Sequence, residues 1–292
     1  MKNDGIAYKT FRVFNIIFLL LLNLTMLYPM LYVVFASLSD SGKLMGHMGL
    51  LIKPLNANLN AYKAVFTNPM IGRGYINTIA VVFTSVVLSM AMTILCAFVL
   101  SRKEVAMRNV FMGFVLFTMF FSGGLIPFYL TVKNVGLENS LWSLIIPYLI
   151  NVYNMVIMRT SFSQIPEPLI ESAKLDGANP MQVLLKIVLP LSVPVMMVIV
   201  LYYAVAQWNA WFSAMIFLHE RSKFPLQLIL REILIQNDTA TMMQGVGMKD
   251  ATSIGETIQY AVIVVATVPI LVIYPFIQRF FTEGVMIGAV KG

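Results

Sequence analysis

Apolar residues fall along this chain in long runs, and the length of those runs decides the class of fold. The first extends from Val13 to about Leu38, and five more follow at about 76–100, 110–130, 139–158, 193–218 and 257–281. A helix rising 1.5 Å per residue needs roughly 20 apolar residues to cross a hydrocarbon core of about 30 Å. Each run meets that length, and none carries Asp, Glu, Lys, Arg or His before Arg279 near the end of the last. The pattern predicts an all-α integral membrane protein with six transmembrane helices, forming one domain over residues 1–292. Lys2, Lys9 and Arg12 precede the first run, as they would in a secretory leader. A leader's apolar core is only about 7–15 residues long, so this run is read as an uncleaved first helix.

One polar interruption stands apart from the other connections. Between the fourth and fifth runs, residues 159–192 turn charged, and the stretch 167–194 carries its own punctuation. From Pro168, the apolar Leu169, Ile170, Ala173 and Leu175 alternate with Glu171, Lys174 and Asp176 in a way that suits a short helix. Proline is tolerated at a first helical position. Gly177 stands where a left-handed residue closes such a helix. Asn179 can cap a second one, with Pro180 at its first position and Gln182 three residues after the cap. That second helix is expected to run through Ile187 and Leu189 to Pro190 and Pro194 at the membrane entry. The hairpin is too polar to span a membrane. It either covers helix ends at the interface or docks another protein, and local physics leaves both readings open.

Composition supports the membrane assignment. The 292 residues are 59% hydrophobic and 11% charged, with a mean hydropathy of +0.82, whereas a soluble domain carries about 25% charge. The net charge of +7 is accounted for by basic loops at a membrane surface, without nucleic acid. With the N-terminus inside, eleven basic residues fall on the cytoplasmic side and nine outside. The short loops and the N-terminus weigh most, and they place both termini in the cytoplasm. Cys96 is the single cysteine and excludes an intrachain disulfide; His47 and His219 belong to no metal motif. Pro29, Gly123, Gly124, Pro127, Pro147, Pro269 and Pro275 interrupt the runs, either as ordinary kinks or as breaks facing a ligand.

Several absences narrow the function. No ionisable side chain lies inside a run, which argues against a proton-coupled carrier, although backbone carbonyls alone can hold sodium. The chain has no GxxxxGK[ST] loop to cradle ATP phosphates, and neither HExxH nor GxSxG for an intramembrane enzyme. Active transport by this chain would draw its energy from a partner. An ion-coupled secondary carrier, a passive channel and a membrane scaffold are the competing classes.

Polar side chains in the later runs are candidates for lining a path. Tyr148, Asn151 and Asn154 recur at i, i+3 and i+6, and Tyr203 and Gln207 are four apart, followed by Trp208, Asn209 and Trp211. Amides can pair with sugar hydroxyls, and aromatic faces can stack on pyranose rings. The same residues would serve equally as polar contacts between helices, worth about 0.6 kcal/mol each, or as an interfacial aromatic belt. The 219–256 loop, expected outside the cytoplasm, carries Arg221, Lys223, Arg231 and Lys249 beside several acids. Its charges either are simply solvated, meet a binding protein, or guide an acidic sugar.

The interruption resembles the EAA loop of ATP-binding-cassette importer membrane subunits. That pattern is Glu-Ala-Ala, three residues, Gly, nine residues, then Ile-x-Leu-Pro. Glu171, Ser172, Ala173, Gly177, Ile187, Leu189 and Pro190 keep its spacing, and Asp176 and Ala178 match the sugar-importer version. Ser172 replaces the second alanine and Leu184 stands where an aromatic is common. The stretches 121–140 (FSGGLIPFYLTVKNVGLENS), 158–162 (MRTSF), 207–218 (QWNAWFSAMIFL) and 224–233 (FPLQLILREI), with the ending EGVMIGAVKG, are similar to the maltose-type permease family. Within it they are closest to the branch for complex, often acidic, polysaccharide fragments. The resemblance implies a type I ABC importer permease fold with a cytoplasmic EAA coupling-helix loop, in the bacterial inner membrane. It implies that this non-catalytic chain binds no cofactor itself, ATP and Mg being used by a partner ATPase dimer. A second homologous permease and an extracytoplasmic solute-binding protein complete the implied assembly. Carried over by position, Glu171, Ser172, Ala173, Asp176, Gly177 and Ala178 are the expected ATPase-coupling residues.

Overall fold

A computed structural model of the chain describes residues 6–236, 257–275 and Gln278. Lys249, Arg279 and the ending from Glu283 to Gly292 lie outside the described residues, as does the last part of the expected sixth run. Every regular element among the described residues is helical, and the chain divides into two compact units.

The first unit comprises residues 1–69 with 232–268. It opens with α1 (Ile6–Ser37), an uninterrupted helix that passes through Pro29. Two short helices follow, α2 (Ser41–Met45) and α3 (Asn60–Thr67). The Asp40 carboxylate caps α2 by accepting from the Lys43 N–H, as Asp does where the first amides of a helix lack partners. Leu51 folds back on α1, where its N–H donates to the Tyr28 hydroxyl at 3.0 Å. Ala36, Leu44 and Leu51 form a small core flanked by Tyr32 and Tyr260, whose rings meet edge to face at 5.9 Å. Nearly all other apolar side chains of α1, from Phe11 to Met30, are exposed. In a membrane protein such a surface faces lipid or another chain.

The second unit comprises residues 70–231 with 269–292. Its longest element is α4 (Pro69–Ser101), 33 residues and about 50 Å at 1.5 Å per residue. Ser85, Ser89, Thr93, Ala97 and Ser101 recur every fourth position on its buried face, a stripe small enough to let neighbouring helices approach closely. Near the start of α4, a Cβ on Gly74 would lie 3.2 Å from the Leu226 Cα and 2.6 Å from the Ile229 Cδ1, so a larger residue there would push the Ile229 tip aside and press on the α13 backbone.

Where the apolar pattern predicts a single span over 110–130, the chain forms α5 (Arg108–Phe120) and α6 (Leu125–Asn134), bent by 113°. The cause is local. Gly124 takes φ +88° and ψ 167°, a conformation that side-chain-bearing residues avoid. The run at 139–158 is also broken: two 3-10 turns, Leu141–Leu144 and Ile146–Tyr148 around Pro147, meet α7 (Val152–Ser163) at 46°. After the polar interruption come α8 (Glu167–Leu175), α9 (Pro180–Val183), a π-helical turn at Leu184–Val188, α10 (Leu189–Leu191) and α11 (Val193–Trp208). The second half of the expected fifth run separates as α12 (Phe212–Phe217), because α11 stops at Asn209. Next is α13 (Leu226–Gln236), and α14 (Thr257–Pro275) is the last described helix.

Three helices, from Tyr8 to Ser37, α4 and α14, are each long and apolar enough to cross a membrane, and up to six crossings result if each bent pair counts as one. Met90, Phe98, Met155, Met158, Phe162, Ile170, Val183, Leu184, Val188, Ile199 and Tyr203 pack into one cluster that joins α4, α7, α8, the π turn and α11. The polar interruption is thus packed into the same core as the long helices beside it.

Candidate functional site

The interruption forms a hairpin in which each turn of backbone is satisfied by its own residues. The first helix, α8, ends in a Schellman arrangement: the Gly177 N–H donates to the Lys174 carbonyl at 3.0 Å, and the Ala178 N–H to the Ala173 carbonyl at 2.9 Å. Gly177 takes the left-handed conformation this requires, at φ +82°. Two residues on, the Asn179 side chain accepts the Gln182 N–H at 2.9 Å, while the Gln182 side chain accepts the Asn179 N–H at 2.8 Å. This is a complete capping box. The short helix then widens into the π turn before Pro190, which has no N–H to give and whose ring crowds the carbonyl four residues back. An 84° bend at Ser192 turns the chain into α11.

The two faces of α8 differ. Ile170 is buried, and Ala173 and Ala178 pack half-buried against the cluster around Val183 and Leu184. Glu171, Ser172, Asp176 and Gly177 are exposed, and Leu175 is 89% exposed. Glu171 makes no ion pair among the described residues. The six residues with EAA spacing thus divide into two small alanines facing the core and four groups facing outward.

Neighbouring loops brace the hairpin. Lys103 pairs with Glu167 at 2.8 Å, and Lys174 with Glu104 at 2.5 Å. The Lys103 hydrogen bond holds the Glu167 carboxyl below the usual carboxylate range. Exposed pairs of this kind are individually weak. Two arginines give firmer geometry: Arg102 Nη2 donates to the Phe162 carbonyl at 2.9 Å, and Arg159 Nε to the Leu100 carbonyl at 3.0 Å. Each closes a carbonyl near the C-terminal end of the other's helix, where helical partners run out. Burial pulls the Arg102 guanidinium below its ordinary value, opposed by Glu104 and Glu167. Arg102, Lys103, Glu104, Ile170, Glu171 and Lys174 line a cleft of about 430 Å³ beside α8. In the sequence Arg102, Lys103 and Arg159 are only basic charges beside apolar runs, because nothing in their spacing indicates which carbonyls they reach.

The candidate path residues are held by identifiable partners. The Tyr203 hydroxyl is buried 2.7 Å from Thr93 Oγ1 and accepts the Asn151 N–H at 3.1 Å. Asn151 is the N-cap of α7, accepting from the Asn154 N–H, and Asn154 itself is buried. Gln207 Nε2 donates to the Leu144 carbonyl at 2.8 Å, and Asn209 Nδ2 to the Val205 carbonyl at 2.9 Å. Tyr148 is half-exposed and accepts from the Ser213 hydroxyl at 2.9 Å. Trp208 is buried beside Tyr75, while Trp211 is exposed with the Arg231 guanidinium 4.6 Å above its ring.

A second polar cluster ties the 134–140 segment to the 217–224 segment, and sequence reading did not anticipate it. The Asn139 side chain accepts both the His219 and Glu220 N–H groups and donates to the Glu220 carboxylate at 2.7 Å. Glu138 accepts from Tyr129 at 2.5 Å and lies 3.2 Å from His219 Nε2 and 3.6 Å from Lys133 Nζ. The Tyr129 hydrogen bond, with His219 and Lys133 adding to it, holds the Glu138 carboxyl below the usual range.

Comparison with known proteins agrees with the hairpin. Residues 89–287 match the family described as "Binding-protein-dependent transport system inner membrane component". The chain is 40% identical over 280 residues to the polygalacturonan/rhamnogalacturonan transport system permease protein YtcP of Bacillus subtilis strain 168, covering 94% of this chain and 96% of that protein. It is 39% identical over 286 residues to Protein LplC of the same strain, covering 98% and 96%. Among solved structures, a bacterial ABC transporter involved in the import of the acidic polysaccharide alginate matches with a TM-score of 0.88 at 29% identity, covering 96% of this chain and all of that one. The match in sequence runs through the hairpin and the match in fold through nearly the whole chain, so this protein belongs to the family of binding-protein-dependent transport system inner membrane components, the non-catalytic permease subunits of ABC importers.

Proposed function

We propose that this chain forms half of the translocation path of an ATP-driven importer of polysaccharide-derived oligosaccharides, with acidic, uronate-containing fragments as the preferred cargo. A binding protein outside the cytoplasm delivers the substrate, and a second homologous permease completes the path. An ATPase dimer that uses ATP and Mg drives the cycle from the cytoplasm, where both termini of this chain lie.

The observation that carries this reading is the two-faced hairpin. Its outward face offers Glu171, Ser172, Asp176 and the bare Leu175 to a partner, while Ile170 seats the other face in the core shared by α4, α7 and α11. Close-packed interiors transmit displacement instead of absorbing it. Closure of the ATPase dimer, pulling on α8, would therefore move the long helices, and alternating access follows if the paired hairpins approach. The sugar class rests on the relatives named for polygalacturonan, rhamnogalacturonan and alginate. Tyr148 and Trp211, half-exposed aromatics, are the path candidates best placed to meet a solute; Tyr203, Asn151, Gln207 and Asn209 are occupied with backbone partners.

Reconstitution with the partner subunits in liposomes tests the reading, with ATPase stimulation measured against neutral and uronate oligosaccharides, amino acids and peptides. Stimulation by oligosaccharides, strongest with uronates, is expected. Stimulation by amino acids or peptides alone would overturn it.

A further inference from the structure

Arg231 on α13 presents an arrangement that the coupling role does not use. Its guanidinium stacks over the Trp211 ring at 4.6 Å, yet its Nε is sealed from solvent without an acceptor. Arg231 has no ion pair or hydrogen bond among the described residues, and two acids of the 138–220 cluster have other partners. Glu138 is held by Tyr129, Lys133 and His219, and Glu220 by Asn139 and Lys223. The indole beneath keeps 37% of its surface open. Three residues before it, Trp208 is buried with an Nε1 donor that also lacks an acceptor. Orphan donors of this kind are rare in folded proteins, and each calls for an explanation.

We infer that Arg231 and Trp211 form a subsite for the carboxylate of an acidic sugar, an inference that rests on the oligosaccharide reading above and gives its charge preference a location. The chemistry fits each part. The two Nη groups of a guanidinium present a planar fork that matches a carboxylate in two parallel hydrogen bonds, and stacking on an aromatic ring holds that fork in place before the ligand arrives. The open part of an indole suits the apolar face of a pyranose ring. A neutral sugar would leave the cation unpaired. Backbone contacts keep the pair in register: the Trp211 carbonyl accepts the Met215 N–H in α12, and α13 is anchored by the Leu226 N–H donating to Thr78 Oγ1 at 2.8 Å.

The test uses the complete importer in liposomes, with the binding protein loaded with de-esterified oligogalacturonate or with its methyl-esterified counterpart of the same length. For wild type and Arg231→Gln, the ratio of uptake rates for the two oligomers is measured. Arg231→Gln should lower that preference for the acid about tenfold or more, the scale set by losing one bidentate charge-assisted contact. Arg231→Lys, which keeps the charge without the fork, should retain part of it and serves where the glutamine variant does not assemble. An unchanged ratio would overturn the inference, whether transport survives or falls for both oligomers alike. A guanidinium serving a lipid phosphate would give that result. If the wild-type importer moves neither oligomer, the failure belongs to the oligosaccharide reading itself.

Discussion

The hydroxyl of Tyr203 joins three helices at one point, lying on α11, 2.7 Å from Thr93 of α4, and accepting the N–H of Asn151 at the start of α7. Tyr203→Phe should leave the buried Thr93 hydroxyl and the Asn151 N–H without this partner and cost about 1–3 kcal/mol. The check is a lowered thermal unfolding midpoint of the purified chain in detergent. Glu138 yields a pH prediction. Its folded carboxyl is held below the ordinary value by Tyr129 first, then by His219 and Lys133. A lowered folded pKa contributes stability that is present above the ordinary value of about 4.3 and is lost as pH falls through the folded value. The stability difference between wild type and Glu138→Gln should therefore be steady above the ordinary carboxylate range and shrink as the pH falls below it. A difference that grows with acidification would contradict this assignment. Residue roles were the least legible feature of the sequence. Tyr203, Asn151 and Gln207 were recognisable as polar groups in apolar runs, but such a group looks alike whether it holds a solute or a neighbouring carbonyl. Only the fold supplies the partner, because Leu144 and Gln207 are 63 positions apart.

At the scale of elements, local chemistry and tertiary geometry part company. The hairpin could be read in advance because its signals lie within a few residues of one another: proline at the start, glycine in the left-handed position, Asn179 and Gln182 as a capping box. The division of α5 from α6 was harder to anticipate. Gly123 and Gly124 were visible as breakers, but hydropathy runs on through them, and an apolar run cannot distinguish a kink from a 113° turn. The π turn before Pro190 likewise follows from accommodating a proline in a continuous apolar helix. The reciprocal arginine clamp makes its own prediction. Arg159→Met keeps the aliphatic bulk and removes the donor to the Leu100 carbonyl. It should cost about 1–2 kcal/mol and weaken coupling, because the ends of α4 and α7 are then tied only by Arg102 and the Phe162 carbonyl. Measured against wild type, the variant importer should hydrolyse ATP with less uptake per ATP. An unchanged uptake-to-ATP ratio would show that the clamp is only structural.

At the scale of the whole molecule, the exposed apolar surface of α1, the outward face of α8 and an Arg231 without an ion pair among the described residues all describe a chain that is incomplete alone. Lipid, an ATPase and a substrate-bearing path are the respective complements in the proposed importer. Membership of the permease family was legible from one spaced motif, since six matching positions over twenty residues at fixed intervals seldom arise by chance. Cargo was less legible, because the groups that meet it are brought together from separate helices. The central claim is that force enters this chain through the hairpin at 167–190, and Gly177→Asp tests it most directly. A Cβ at Gly177 meets no atom within 4 Å, and aspartate tolerates the left-handed conformation better than most residues. The variant should therefore fold and insert, while setting a new charge on the outward face beside Asp176. In the reconstituted importer, ATP hydrolysis stimulated by the loaded binding protein should be abolished together with uptake. Wild-type stimulation and uptake in Gly177→Asp would contradict the account.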